Sequence, residues 1–212
     1  MKQFVFFDLD GTLADTDGDI RRAWKATLSD LGLDCPLFDA KFVAGPPIDE
    51  MTRQLFPDRF TPELADAIRV GFADHYDRDG FPLTREYPGV LDVVRRLKAE
   101  GRTLAIVTNK RFVGATAMAR HFGWESIFDG IYAGDMTLPK VRKPELLRRV
   151  LTTYAAEPAD CVLVGDTGND FEAAAANGVR SIGVAWGYGR PEELARADAI
   201  CRSPSELEHA VQ

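Results

Sequence analysis

The chain has 212 residues, of which 45% are hydrophobic and 28% are charged, and its formal net charge is -7 at pH 7. This balance is typical of a folded protein and excludes an intrinsically disordered chain. The excess of acids argues against nucleic acid as the main partner, because binding to phosphate backbones depends on clustered Lys and Arg. The apolar runs are too short for a signal peptide or a membrane span, so we expect a cytoplasmic protein that does not bind membranes.

Five short apolar runs predict the strands. The first, FVFF at 4–7, leads directly into Asp8 and Asp10. The other four are TLAIV at 103–107, GIYA at 130–133, CVLV at 161–164 and SIGVA at 181–185. None of them alternates polar with apolar residues, which is typical of strands that are covered on both faces in a parallel sheet.

Helical patterns lie between these runs. Val90, Val93, Val94 and Leu97 share one helix face, and similar stripes cover 146–154 and 171–177. Strands that alternate with helices predict an α/β fold with a Rossmann-like, doubly wound parallel sheet.

The segment between the first and second strands breaks this alternation. It contains two helical stripes, at 20–31 and 64–76, and no convincing strand. The simplest interpretation is a helical insertion at residues 15–84 in a catalytic core made of residues 1–14 and 85–212.

Polar residues follow three of the predicted strands. Asp8 follows the first strand, the segment Thr108-Asn109-Lys110 follows the second, and Asp166 and Asp170 follow CVLVG. In open α/β sheets, ligands bind beyond the carboxyl ends of the strands, where such loops converge. We therefore expect these side chains to form one site.

The acids in this set predict a metal and a reaction. Asp8 and Asp10 lean to the same side of an extended chain, and carboxylates brought together repel one another unless a cation lies between them. Carboxylate, carbonyl and water oxygens suit Mg²⁺. One carboxylate can attack phosphorus while a neighbouring carboxyl group protonates the leaving oxygen and later activates water.

The motifs together resemble the haloacid dehalogenase superfamily. DLDGTLADT at 8–16, Thr108, Lys143 and GDTGND at 165–170 occur in the order and at the spacing of its phosphatases that carry a helical C1-type cap after the first strand. The segments AGPPIDEMTRQLF at 44–56 and WGYG at 186–189 resemble the phosphoglycolate-phosphatase-like branch. The resemblance covers nearly the whole chain and implies that the insertion is a cap that closes over the substrate.

The resemblance implies a role for each residue that matches a motif. Asp8 is expected to be the nucleophile that forms an aspartyl-phosphate, and Asp10 to be the general acid and base. Thr108 and Asn109 are expected to bind the phosphoryl oxygens, and Lys143 to neutralise both the nucleophile and the phosphate.

The resemblance also implies the metal ligands. Asp8, Asp166 and the Asp10 carbonyl are expected to surround Mg²⁺. Asp170 is expected to bind the ion directly or to hold one of its waters.

Two assignments have rivals in the sequence. Many phosphatases of this superfamily carry a second proline two residues after the Lys-Pro pair, but Lys143-Pro144 is followed directly by ELLRRVL, as in a shorter form of the motif. Lys140 and Arg142 are therefore rivals for the role of Lys143. Arg53, after the Gly-Pro-Pro loop, is a candidate substrate contact whose alternative is an ordinary exposed position on a helix.

The expected function is Mg²⁺-dependent hydrolysis of a small-molecule phosphate ester. A 5'-nucleotidase-like or pyrophosphatase activity, a hexose-phosphate mutase and a non-catalytic Mg²⁺/phosphate-binding switch are the alternatives. Asp10 argues against the dehalogenases, which lack this acid, and against the switch. The sequence leaves open which ester is the substrate and whether the protein is a monomer or a homodimer.

Overall fold

A computed structural model describes residues 3–78, 80–136 and 140–212 of the chain. They divide into two compact units, one formed by the chain up to Asp15 together with Arg85–Gln212, and the other by Thr16–Thr84. Within the described residues, no helix combines the length and the apolar character that crossing a membrane requires.

Six parallel strands form the sheet of the first unit. Their order is β5-β4-β1-β6-β7-β8, and a separate antiparallel pair, β2 and β3, joins Ala14 to Glu86 and Asp15 to Arg85. The strands are β1 Phe4–Phe7, β2 Ala14–Asp15, β3 Arg85–Glu86, β4 Thr103–Thr108, β5 Gly130–Ala133, β6 Cys161–Gly165, β7 Arg180–Val184 and β8 Ala199–Cys201. The predicted parallel α/β fold is confirmed.

The register of the central strands determines where the site forms. Phe7, the last residue of β1, lies beside Ile106 of β4 and Val164 of β6. The three strands therefore end at nearly the same level, which brings the residues that follow them to one edge of the sheet.

Helices connect the strands and cover the sheet. In the first unit they are α5 Val90–Ala99, α6 Phe112–His121, α7 Lys143–Thr153, α8 Gly168–Ala176, α9 Pro191–Leu194 and α10 Pro204–Ala210. The predicted stripes correspond to α5, α7 and α8. The sequence analysis did not predict α6, α9, α10, β2, β3 or β8, because these elements are short or bury small residues, as α6 does with Gly114, Ala115 and Ala119.

A continuous core lies between the sheet and two of these helices. Phe6, Val107 and Leu163 of the three central strands pack in the same buried cluster as residues of α7 and α8. The helical members of the cluster are Leu146, Leu147, Val150, Leu151, Ala173 and Ala174. Because the strands and α7 share this core, the strand ends and Lys143 at the start of α7 are held in one rigid body.

The second unit is helical. Its helices are α1 Asp17–Asp30, α2 Phe38–Lys41, α3 Ile48–Leu55 and α4 Pro62–Arg78. Aromatic contacts join them, since the Trp24 ring centroid on α1 lies 6.2 Å from that of Phe72 on α4 and 5.6 Å from that of Phe42.

The buried side chain of Asp19 connects the two ends of this helical unit through hydrogen bonds. Asp19 on α1 is fully buried, and its Oδ2 accepts hydrogen bonds from Leu83 N at 3.0 Å, Thr84 N at 2.8 Å and Thr84 Oγ1 at 2.8 Å. Its Oδ1 pairs with Arg22 at 3.2 Å. One carboxylate thus fixes the first turn of α1 to the segment that leaves the unit.

We expect Asp19→Ala to lower the free energy of unfolding by about 2–4 kcal/mol, because it removes a buried acceptor that serves several donors. Asp74→Ala is the matched control, since it removes an acid from an exposed pair with Arg78 at 3.4 Å on α4 and is expected to change stability by no more than about 0.5 kcal/mol. Urea unfolding followed by circular dichroism measures both. Equal, small effects of the two substitutions would contradict this role of Asp19.

Candidate active site

A tight turn after β1 places the first two acids. Leu9 O accepts hydrogen bonds from the backbone N of Leu13 at 3.0 Å and Ala14 at 3.2 Å, and Gly11 N donates to Ala14 O at 2.9 Å. Gly11 has φ +80°, and a Cβ atom built on it would lie 2.1 Å from Asp166 Oδ2. Glycine is therefore required here both by the backbone conformation and by the close approach of Asp166.

Three buried carboxylates meet beside this turn. Asp8, Asp166 and Asp170 each offer one oxygen atom, and these oxygens all lie within 4.8 Å of one another. Burial raises the pKa of Asp8 to about 6, against the opposing effect of Lys143. Burial, together with repulsion from Asp170 and Asp8, raises the pKa of Asp166 well above its usual range. Such a set of oxygen donors in a buried place fits a hard divalent cation, which would relieve the repulsion.

Lys143 is the cation that the chain itself brings to these acids. It is 2% exposed, at the first turn of α7, and its Nζ lies 2.8 Å from Asp8 Oδ1 and also contacts Asp170 Oδ1. Burial opposes its charge, but the carboxylates of Asp170 and Asp8 raise the pKa of Lys143 above the ordinary lysine value. Its rivals lie elsewhere, since Lys140 is exposed and Arg142 pairs with Glu172 at 3.2 Å.

The carboxylate of Asp170 is engaged by the protein on both oxygens. Oδ2 accepts hydrogen bonds from Thr167 N and Thr167 Oγ1, both at 3.0 Å, and Oδ1 contacts Lys143. The bond from Thr167 N is one half of the capping box that begins α8, and the other half is formed by the Thr167 side chain and the backbone of Asp170. Each oxygen of this carboxylate therefore already has a partner in the protein.

Asp166 is held by a glycine-rich loop that the sequence analysis interpreted only by family resemblance. Its Oδ2 accepts a hydrogen bond from Tyr188 N at 2.7 Å, and its Oδ1 accepts one from Thr12 Oγ1 at 3.3 Å. A Cβ atom on Gly187 would lie 2.4 Å from Asp166 Cβ, and one on Gly189 would lie 1.7 Å from Asp166 O. The two glycines that flank Tyr188 were the signal in the sequence for this close packing.

The loop after β4 brings a hydroxyl group and a second lysine to the site. Thr108 is 1% exposed, and its Oγ1 accepts a hydrogen bond from Lys110 N at 3.1 Å. Lys110 Nζ lies 3.0 Å from Asp10 Oδ1. Asn109, between them, is partly buried. The sequence analysis placed Lys110 at this edge of the sheet but assigned it no contact with Asp10.

Arg53 belongs to the other unit. It is exposed on α3, where its guanidinium carbon lies 3.7 Å from the centroid of the Phe60 ring. This cation–π contact with Phe60 is the local interaction that orients the guanidinium.

We expect Lys143→Met to lower the free energy of unfolding by about 3–5 kcal/mol in the presence of chelator, because it leaves buried carboxylates without their internal cation. Lys98→Met is the matched control, since Lys98 pairs with Asp129 at 2.5 Å but both side chains are 35% exposed; it is expected to cost no more than about 1 kcal/mol. Guanidinium unfolding measures both variants. A cost for Lys143→Met no greater than that of the control would show that Lys143 does not compensate these acids.

Comparisons with known proteins show the family of this chain. The family model described as "Haloacid dehalogenase-like hydrolase" matches residues 5–184. A 5'-nucleotidase from Pseudomonas aeruginosa is 32% identical over 196 residues, which cover 90% of this chain and 86% of that protein. A phosphoglycolate phosphatase from Neisseria meningitidis is 35% identical over 202 residues, which cover 93% of this chain and 86% of that protein.

A solved structure shows the same fold. The crystal structure of a predicted phosphatase from Clostridium acetobutylicum aligns with a TM-score of 0.89 at 28% identity, covering 100% of this chain and 98% of the other. The resemblance drawn from the four motifs is confirmed. The chain belongs to the haloacid dehalogenase-like hydrolases and, within them, is similar to the phosphoglycolate phosphatases.

Proposed function

We propose that the protein is a Mg²⁺-dependent phosphatase that transfers the phosphoryl group of a small ester first to Asp8 and then to water. The observation that carries this proposal is the buried set of Asp8, Asp166, Asp170 and Lys143, with Asp10 beside it on the same turn. Relatives named as phosphatase and nucleotidase favour hydrolysis of a monoester over the mutase, pyrophosphatase and switch alternatives.

Asp8 is the proposed nucleophile of the first step. One of its carboxylate oxygens forms a bond to phosphorus as the bond from phosphorus to the leaving oxygen breaks, and Asp10 gives that oxygen a proton. Thr108 Oγ1 and the backbone N of Asn109 are the proposed donors to the phosphoryl oxygens, and Lys143 balances their charge.

Asp10 changes role in the second step. It takes a proton from a water molecule, the water oxygen forms a bond to phosphorus, and the bond between phosphorus and Asp8 breaks. Inorganic phosphate leaves and the Asp8 carboxylate is restored. The same residue thus acts as acid and then as base, as the reversal of bond making and breaking requires.

Asp8, Asp166 and the Asp10 carbonyl are the proposed ligands of the metal, and Asp170 is proposed to hold one of its waters. When bound, Mg²⁺ supplies positive charge that offsets both the carboxylate repulsion and the charge of the phosphoryl oxygens. By the family resemblance, residues 15–84 are the proposed cap that excludes water during the transfer, with Arg53 as a candidate contact for the substrate.

We expect the wild-type protein to release phosphate from at least one small phosphomonoester in Mg²⁺ and not in excess chelator. 2-Phosphoglycolate and nucleoside monophosphates are the first esters to test, given the names of the relatives. Asp8→Asn is expected to lower kcat by about 10³-fold or more, since it removes the nucleophile. Asp92→Asn, an exposed acid on α5, is the control. Turnover by Asp8→Asn close to that of the wild type would refute the mechanism.

We expect Asp166→Asn to weaken divalent-metal binding by about 10-fold or more, because it removes a charged ligand. An Asn side chain still offers an oxygen to Tyr188 N, so the loop contact can survive the substitution. Titration with Mn²⁺, followed by electron paramagnetic resonance of the free ion, measures affinity without reference to activity. Asp92→Asn again controls for the lost charge, and equal affinity in both variants would remove Asp166 from the ligand set.

A further inference from the structure

Two lysines from different parts of the chain, Lys143 at the start of α7 and Lys110 in the loop after β4, each contact different acids of the site. Lys143 contacts Asp8 and Asp170, whereas Lys110, after β4, contacts Asp10. The side chains of Lys110 and Asp10 are 7% and 14% exposed, so this pair is largely shielded from solvent. It is therefore a different kind of contact from the ion pairs on the surface of the protein, which contribute little.

We propose that Lys110 is a positioning residue for Asp10 and selects the carboxyl oxygen that exchanges a proton with the leaving group; this rests on the proposed function. Asp10 Oδ1 accepts the hydrogen bond from Lys110, while Oδ2 has no hydrogen-bond partner among the described residues. Oδ2 is therefore the oxygen that carries the proton to the substrate.

The physical reason is the freedom of an aspartate carboxyl group. Rotation about its terminal torsion is broad and roughly two-fold, so an unrestrained group presents either oxygen in a range of orientations. A charge-assisted hydrogen bond to one oxygen restricts this rotation. Proton transfer needs a heavy-atom distance of about 2.6–3.2 Å, so the restriction raises the fraction of complexes that can react.

The loop that carries Lys110 is itself fixed. Lys110 N donates to Thr108 Oγ1, and Thr108 is the last residue of β4, which lies between β5 and β1 in the sheet. The proposed phosphoryl-binding residue and the residue that orients the general acid are thus two positions apart on one short loop. A shift of this loop would displace both Thr108 and Lys110. An experiment on Lys110 therefore has to separate an effect on Asp10 from an effect on phosphoryl binding.

The leaving group provides that separation. An alkoxide needs a proton in order to leave, but a nitrophenolate does not, so a defect in Asp10 slows alkyl esters more than nitrophenyl esters. The quantity to measure is kcat/KM, which reports the steps up to departure of the leaving group. A series of phosphomonoesters graded by the pKa of the leaving alcohol or phenol is assayed with the wild type, Lys110→Met, Lys110→Arg and Lys98→Met.

We expect Lys110→Met to lower kcat/KM by about 10²-fold for alkyl esters and by less than about 5-fold for 4-nitrophenyl phosphate. Lys110→Arg is expected to recover part of the loss, and Lys98→Met, outside the site, to follow the wild type. In an Asp10→Asn background, Lys110→Met should cause little further loss, because the two residues act as one unit.

Three results would overturn the proposal. An equal loss for all esters would mean that Lys110 acts on the phosphoryl group or on the fold. Full additivity of Lys110→Met with Asp10→Asn would mean that Lys110 acts independently of Asp10. If the wild type released phosphate from no ester, the proposed function would fall, and this proposal with it. Lys110→Gln, which removes the charge but keeps a polar side chain, replaces Lys110→Met if circular dichroism shows that the latter is unfolded.

Discussion

The structure of the site depends on holding three carboxylates together in a buried place. Asp8, Asp166 and Asp170 repel one another, and burial makes their charges more costly, as the raised pKa values of Asp8 and Asp166 show. The fold meets this cost in part with Lys143 and with donors from Thr12, Thr167 and Tyr188. One lysine cannot balance three acids, so the arrangement calls for a further cation.

The parallel sheet is what makes such a concentration of polar groups attainable. β1, β4 and β6 are neighbours in register, so the residues after each strand emerge side by side without a long loop. Apolar side chains of these strands pack against α7 and α8 in one buried cluster. Burial of that apolar core stabilises the strands and helices that carry the acids. It therefore holds the acids together against their mutual repulsion.

Sequence alone predicted the sheet, the main helices and the side chains at its edge, because short apolar runs and the acids that follow them are local signals. It did not predict α6, whose buried face consists largely of small residues, or the short strands β2, β3 and β8. Nor did it predict the contact between Lys110 and Asp10 or the packing of Gly187 and Gly189 on Asp166. These are contacts between residues far apart in the chain, and their distances follow from the register of strands rather than from any local pattern.

In the proposed mechanism, one turn carries two chemical roles, which are divided between Asp8 and Asp10. The two acids are of the same type and only two positions apart, yet Asp8 lies among other carboxylates against Lys143, whereas Asp10 faces Lys110. A nucleophile has to remain ionised beside the metal ligands, while a proton carrier has to keep one oxygen available to the leaving group. Different partners for similar carboxyl groups are the general means by which a protein assigns such roles. In this chain the second partner, Lys110, lies in the loop after β4, the strand beside β1, so the proposed division of roles depends on the order of the strands.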